Sequence, residues 1–84
     1  MKITLKLYAT LSDLLPAQAK YNAAEVEIPE KSTLNWIIDH FNIPREQAHL
    51  VLINGIFVCD SDRDQTGQIN PEDTLAIWPP IAGG

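Results

Sequence analysis

The sequence predicts a single α+β domain in which one helix packs across one face of a small mixed sheet of about four to five strands. Three observations predict this class. The chain has 84 residues, which is short for two domains. Several short segments alternate polar and apolar residues or are apolar throughout, as strands do. Only one segment repeats its apolar residues at helical spacing.

The first half of the chain supplies two predicted strands and the helix. Residues 2–8 and residues 25–28 alternate polar and apolar side chains, which predicts strands with one buried face. Ser32 and Thr33 both suit the N-cap position of a helix. The apolar residues that follow lie at i, i+3, i+4 and i+7 and predict a helix over residues 33–41: Leu34, Ile37, Ile38 and Phe41.

The second half supplies the remaining strands. Residues 50–53 are apolar throughout and lead into Asn54-Gly55, the strongest short-range signal for a hairpin. Residues 56–58 are the expected partner strand, and residues 60–68 are polar and irregular. Residues 74–78 form the last predicted strand. The diproline that follows ends regular pairing, because proline donates no hydrogen bond to a neighbouring strand.

Composition limits the classes of function. The net charge is −5, from six Lys and Arg against eleven Asp and Glu, so the surface repels a phosphate backbone and a nucleic-acid partner is not expected. No stretch approaches the ~18 apolar residues of a membrane span, and no membrane partner is expected either. Cys59 is the one cysteine, which excludes an internal disulfide and favours a reducing, cytoplasmic location.

No side-chain active site or metal site is predicted. Three aspartates, at positions 60, 62 and 64, have the spacing that opens an EF-hand loop, but the glycine and the bidentate glutamate of that loop are missing. His40 and His49 are isolated from other ligand residues. Cys59 has no basic neighbour in sequence to lower its pKa, and we expect it to be a small packed residue at a strand end.

The C-terminal residues carry the strongest functional signal. The domain over residues 1–78 is followed by a flexible tail over residues 79–84, whose diproline stiffens the exit of the chain and projects it from the body. Gly83 and Gly84 have no side chains, so they fit a narrow channel in another protein. A carboxylate is a poor electrophile, so this arrangement suits activation by a partner that uses ATP. An adenylated carboxylate accepts a sulfur, oxygen or nitrogen nucleophile. The alternative is a frayed end without function.

The ending Pro79-Pro80-Ile81-Ala82-Gly83-Gly84, with the helix and the Asn54-Gly55 hairpin in the expected places, resembles the ThiS/MoaD family of ubiquitin-like β-grasp sulfur carriers. The resemblance covers essentially the whole chain, and the diproline is similar to the ending of the small subunit of molybdopterin synthase. It implies that an E1-like enzyme adenylates Gly84 with ATP and that a sulfur donor system converts it to a thiocarboxylate. The tail would then enter the large synthase subunit, which supplies the catalytic side chains. The chain itself would bind no cofactor.

A docking face is expected beside this tail. Strand alternation places Tyr8, Leu52 and Trp78 on the sheet face opposite the helix. Aromatic residues of this kind are enriched at protein interfaces. We therefore expect these three residues to contact partners together with the tail residues Pro79, Pro80, Ile81 and Ala82. In the alternative interpretations, the irregular segment covers this face, or the strand register is shifted by one residue.

Three other functions are compatible with the sequence. The chain could carry sulfur for thiazole and thiamine synthesis or for another pathway. It could be a ubiquitin-like modifier joined through Gly84 to lysines of target proteins. A plain binding module would use the face around Trp78 and never activate its tail. Whether the chain counts as an enzyme is left open, since it would act only as part of a complex.

Overall fold

Five strands form one mixed sheet in the computed structural model, which describes residues 1–80. The strand order is β2-β1-β5-β3-β4, in which β1 and β5 are parallel and all other neighbours are antiparallel. The prediction of a mixed sheet with one main helix is confirmed. The elements are β1 (Lys2–Leu7), β2 (Ala23–Glu27), α1 (Leu34–His40), β3 (Leu50–Ile53), β4 (Ile56–Phe57) and β5 (Thr74–Trp78), with 3₁₀ helices at Ala9–Leu14, Arg45–Gln47 and Asp60–Asp62.

The core lies between α1 and the sheet face that α1 covers. Strand alternation sends every second side chain of the strands to this inner face, and the helix adds the residues of its apolar stripe. Full burial of one such side chain stabilises the fold by about 1.5–3 kcal/mol. The largest completely buried side chains are Ile3, Leu5, Leu7, Leu34, Ile37, Ile38, Val51, Leu75 and Ile77.

Capping residues define both ends of α1. The Thr33 side-chain oxygen accepts a hydrogen bond from the backbone N–H of Trp36 at 3.0 Å, as the N-cap prediction requires. Phe41 is the C-cap, and Asn42 then adopts a φ of +62°, the left-handed conformation that commonly stops a helix. The helix was predicted over residues 33–41, and its first and last residues, Thr33 and Phe41, are therefore caps. No helix within residues 1–80 is long and apolar enough to cross a membrane.

A side-chain ion pair joins the last turn of α1 to the residues that follow the helix. Arg45 donates to both carboxylate oxygens of Asp39, at 3.0 and 2.7 Å. The hydrogen bonds from Arg45 lower the pKa of Asp39 below its ordinary value. Both side chains are more than half exposed, so solvent screens this pair.

The Asn54-Gly55 turn joins β3 to β4 as predicted. Asn54 has a φ of +51° and Gly55 a φ of +84°, the pair of positive values that a type I′ hairpin turn requires. The Asn54 side chain also accepts from the backbone N–H of Thr74 at 2.9 Å and donates to Asp73 at 3.0 Å. These bonds fix the hairpin to the start of β5. The strand β4 is one residue shorter than predicted: it ends at Phe57, and the buried Val58 follows it.

The irregular segment contains a buried arginine that the sequence analysis did not single out. Arg63 is 5% exposed and donates to the backbone oxygens of Ala48 at 2.7 Å and His49 at 3.3 Å. Its guanidinium also pairs with Asp60 at 2.8 Å. The backbone oxygen of Arg63 accepts from the N–H of Asn35 in the first turn of α1. The segment therefore packs on the helix side of the molecule.

Candidate docking face and exit of the C-terminal residues

Tyr8, Leu52 and Trp78 lie on the outer face of the sheet, defined here as the face opposite α1. The parallel pairing of β1 with β5 continues past Leu7 and places Tyr8 next to Trp78. Their rings stack with centroids 4.2 Å apart and planes 1° from parallel. Leu52 pairs with Ala76, two residues before Trp78, and so lies on the same face. The structure brings the three predicted residues together.

Two further apolar residues belong to this surface and were missed. Leu50 is directly opposite Trp78 in the pairing of β3 with β5, and Phe57 is opposite Leu52 in the hairpin. Leu50 is 36% exposed and Phe57 is 54% exposed. Period two from Leu52 indicates Leu50, and the hairpin register indicates Phe57, so both signals were present in the sequence. We call the set of Tyr8, Leu50, Leu52, Phe57 and Trp78 the apolar face.

Within residues 1–80 the apolar face is partly exposed, and the irregular segment adjoins it at Asp60 and Ser61, which line a shallow depression with Leu50 and Phe57. The alternative was that the irregular segment covers it. However, Asp64 of that segment accepts a hydrogen bond from the Asn35 side chain at 2.8 Å, which holds the segment at the start of α1 on the other side of the sheet. Half-exposed aromatic and leucine side chains gathered on one sheet face are typical of a surface that binds another protein.

Neighbouring strands hold the end of β5 on both sides. The backbone oxygen of Trp78 accepts from the N–H of His49 at 3.1 Å, and that of Ile77 accepts from the N–H of Tyr8 at 3.2 Å. The chain therefore leaves the sheet in a fixed direction, from a residue of the apolar face.

The two prolines differ in their surroundings. Pro79 is buried and Pro80 is exposed. The expectation that the chain projects from the body at Pro79 is therefore corrected, since this ring packs against the domain and contributes to its body. The remaining predicted tail residues, Ile81, Ala82, Gly83 and Gly84, lie outside the described residues.

The cysteine and the two histidines do not form a cluster within residues 1–80. Cys59 is exposed, so the expectation of a packed cysteine is wrong: the residue follows the short β4 and the buried Val58 and lies at the surface. His40 stacks on Trp36 with ring centroids 4.6 Å apart, while His49 is exposed. Within residues 1–80 no group of three or more His, Cys, Asp or Glu side chains is placed to hold a metal ion.

The three aspartates of the irregular segment have separate structural partners. Asp60 pairs with Arg63, and Asp64 accepts from Asn35. Asp62 accepts from the side chain of Gln65 at 3.2 Å. Their carboxylates therefore serve the packing of the segment.

Comparisons with known proteins agree on the fold. The model of the ThiS family matches residues 5–84. A candidate molybdopterin converting factor subunit 1 from Pyrococcus furiosus is 19% identical, with 95% of this chain and 98% of that chain covered and a TM-score of 0.64. SAMP1 from Haloferax volcanii is 21% identical, with both chains covered completely and a TM-score of 0.60. At these identities the likeness shows the β-grasp fold. No curated protein sequence matches the chain.

Proposed function

The chain belongs to the ThiS family, and from that premise we propose that it is a sulfur carrier for molybdopterin synthesis, acting through Gly84. The observation that carries the proposal is that the family match extends to residue 84, so the Gly-Gly ending lies inside the matched region. That ending comes six residues after Trp78, the last residue of β5 and a member of the apolar face. A partner docked on the apolar face would thus have the terminal carboxylate within its reach.

The proposed chemistry uses the α-carboxylate of Gly84 as its one reacting group on this chain. A carboxylate oxygen attacks the α-phosphorus of ATP, pyrophosphate leaves, and an acyl-adenylate forms. Hydrosulfide from the donor system then attacks the acyl carbon, AMP leaves, and loss of the S–H proton gives a thiocarboxylate. Its ionised sulfur is a strong nucleophile, as thiolates are. The catalytic side chains for adenylation belong to an E1-like enzyme, and those for the later donation of the sulfur belong to the large synthase subunit. The proposal places this chemistry in the cytoplasm.

The choice of the molybdopterin pathway has two supports. The Pro79-Pro80 pair before the glycines is similar to the ending of molybdopterin synthase small subunits. One of the similar solved structures also bears the name of a molybdopterin converting factor subunit. If the chain instead serves thiazole synthesis, it should co-purify with the thiazole-forming synthase.

The test of the carrier chemistry is an intact-mass spectrum after incubation with an E1-like enzyme, ATP and a sulfide source. We expect one oxygen to be replaced by sulfur, with the change mapped to Gly84 by fragmentation. Omission of ATP is the control, because the carboxylate reacts only after adenylation. An unchanged mass with each of several E1-like enzymes would contradict the proposal.

Conjugation to target proteins is the second candidate function. The likeness to SAMP1, a ubiquitin-like protein, covers the full length of both chains and favours this alternative. A modifier leaves isopeptide conjugates through Gly84 that appear as a ladder on a blot. A pure sulfur carrier leaves none, so the blot separates the two functions.

The apolar face gives a second prediction. We expect Trp78→Ala to weaken binding to the E1-like enzyme about thirtyfold, because a tryptophan at the centre of an interface commonly contributes about 2 kcal/mol or more. The measurement is the Kd by calorimetry. Trp36→Ala is the matched control, since it removes the other tryptophan, which is 39% exposed on the helix side. Equal losses of affinity in the two variants would exclude a specific role for the apolar face.

A further inference from the structure

A basic groove lies beside the apolar face on the outer face of the sheet. It is lined by Lys6 of β1, by Tyr8, and by Lys20 and Tyr21 of the turn that precedes β2, and we call these four residues the basic groove. Tyr8 belongs to both surfaces, because its ring stacks on Trp78 and also lines the groove. The two surfaces are therefore continuous, and a partner large enough to cover one also meets the other.

The basic groove is positively charged, although the protein as a whole is acidic. The chain has a net charge of −5, yet two of its four lysines line this groove. Within residues 1–80 neither lysine forms an ion pair, whereas Arg45 and Arg63 each have a carboxylate partner. On this face of β2, the residue opposite Lys6 is Ala23. The nearest acidic residue of β2, Glu25, lies opposite Thr4 instead. Two ammonium groups are thus available to an external carboxylate.

The backbone at Tyr21 indicates that its side chain is held outward at a conformational cost. Lys20 and Ala23 exchange backbone hydrogen bonds at 2.9 and 3.1 Å, which leaves Tyr21 and Asn22 as a two-residue turn. Tyr21 alone of these two has a positive φ, +59°, a position at which hairpin turns prefer glycine. Its side chain is completely exposed. Tyr21 is one of six non-glycine residues with a positive φ within residues 1–80 and the one aromatic residue among them, and a costly placement of an exposed ring points to function.

We propose that the basic groove receives an acidic segment of the protein that docks on the apolar face. Carboxylates of that segment pair with Lys6 and Lys20, while the rings of Tyr8 and Tyr21 flank it. Paired charges at the rim of an interface fix the orientation of the partner and speed its encounter. Because the groove and Trp78 lie on either side of Tyr8, this contact orients the partner relative to the exit of the C-terminal residues. The identification of the partner as the E1-like enzyme rests on the proposed function.

The first test uses a hexaglutamate peptide and the amide NMR spectrum of the whole chain. We expect shifts confined to β1 and to the turn at Tyr21, and roughly two- to thirtyfold weaker binding in the double variant Lys6→Gln/Lys20→Gln, the range for loss of two exposed ion pairs. The matched control is Lys2→Gln/Lys31→Gln, which removes the same charge from the two other lysines. Shifts spread over the surface, or equal weakening in the control, would overturn the proposal. So would equal binding of hexathymidylate, because the groove would then attract any polyanion.

The second test measures pyrophosphate release by the E1-like enzyme. We expect the double variant at Lys6 and Lys20 to raise the KM for the carrier at the same kcat. We expect Tyr21→Gly to raise both the KM and the melting temperature, because glycine relieves the strained φ. Activation of the wild type with an unchanged KM in all variants would overturn the groove proposal and leave the proposed function intact. If no enzyme activates the wild type, the proposed function fails, and the peptide titration decides the groove on its own.

Discussion

Deletion of Gly84 is expected to abolish sulfur transfer and leave the domain folded. The shortened chain still ends in a glycine carboxylate, on Gly83, but its reach falls by about 3.3–3.6 Å, the span of one residue. Displacement of a reacting group by even about 1 Å can cost about a hundredfold in rate. Thiocarboxylate formation should therefore fall by at least about two orders of magnitude. Within residues 1–80 the buried side chains of the hydrophobic core lie between Ile3 and Ile77, so we expect the domain to fold without Gly84.

The measurement is the initial rate of thiocarboxylate formation by mass spectrometry, with cofactor synthesis by the reconstituted synthase as a second assay. Two controls separate chemistry from folding and docking. The melting temperature of the deletion variant should match that of the wild type, and so should its Kd for the E1-like enzyme if the apolar face carries most of the affinity. Normal cofactor synthesis by the variant would exclude the tail mechanism and favour a plain binding module.

Replacement of Arg63 by methionine is expected to lower the free energy of unfolding by about 2–4 kcal/mol. Methionine keeps much of the apolar stem but cannot donate to the backbone oxygens of Ala48 and His49. A buried polar group that loses its partner costs about 1–3 kcal/mol. The ion pair adds less, because the Asp60 side chain is 88% exposed. Most of the expected loss therefore comes from the hydrogen bonds that join the irregular segment to the residues just before β3.

Urea denaturation checks this prediction. The midpoint of unfolding should fall, and the slope of the unfolding free energy against urea concentration should stay constant if only stability changes. Arg45→Met is the matched control. It removes an arginine that also pairs with a carboxylate, but whose side chain is 58% exposed. We expect a much smaller loss there. Similar losses at Arg45 and Arg63 would show that burial of the Arg63 guanidinium contributes nothing.

The Arg63 variant also has an expected effect on the candidate site. Arg63 donates to the His49 oxygen, and the His49 N–H donates to the oxygen of Trp78 at the end of β5. Loss of Arg63 should therefore loosen the junction that holds the exit of the C-terminal residues. The amide of His49 should exchange faster with solvent than in the Arg45 control.

Local patterns of the sequence were sufficient to predict the five strands and α1, but not the bounds of β2 or the three 3₁₀ helices. The alternation at Ile3, Leu5 and Leu7 predicted β1 because strand side chains alternate between faces, whatever the partner strand. Thr33 predicted the start of α1 because its hydrogen bond closes within three residues. Asn54-Gly55 predicted the hairpin because positive φ values are a local property of these residues. Each of these signals acts over a few residues, which is why they could be interpreted without the tertiary structure.

The irregular segment shows where such local interpretation fails. Arginine is usually a surface residue, and the burial of Arg63 depends, besides its ion pair with Asp60, on two carbonyl oxygens 14 and 15 residues away in sequence. Cys59 was expected to be packed, and its exposure follows from the position of the short β4 at the edge of the sheet. Both outcomes depend on contacts between distant parts of the chain, for which the sequence has no short-range pattern.

For the candidate site, the sequence by itself determined the Gly-Gly ending, the family resemblance and the outward direction of Tyr8, Leu52 and Trp78. Only the tertiary structure decided that Tyr8 stacks on Trp78, that Pro79 is buried, and that Lys6 and Lys20 line one groove. The physical reason is that the parallel pairing of β1 with β5 joins the two ends of the chain. Strand alternation fixes the direction of a side chain, whereas its neighbours depend on strand order and register.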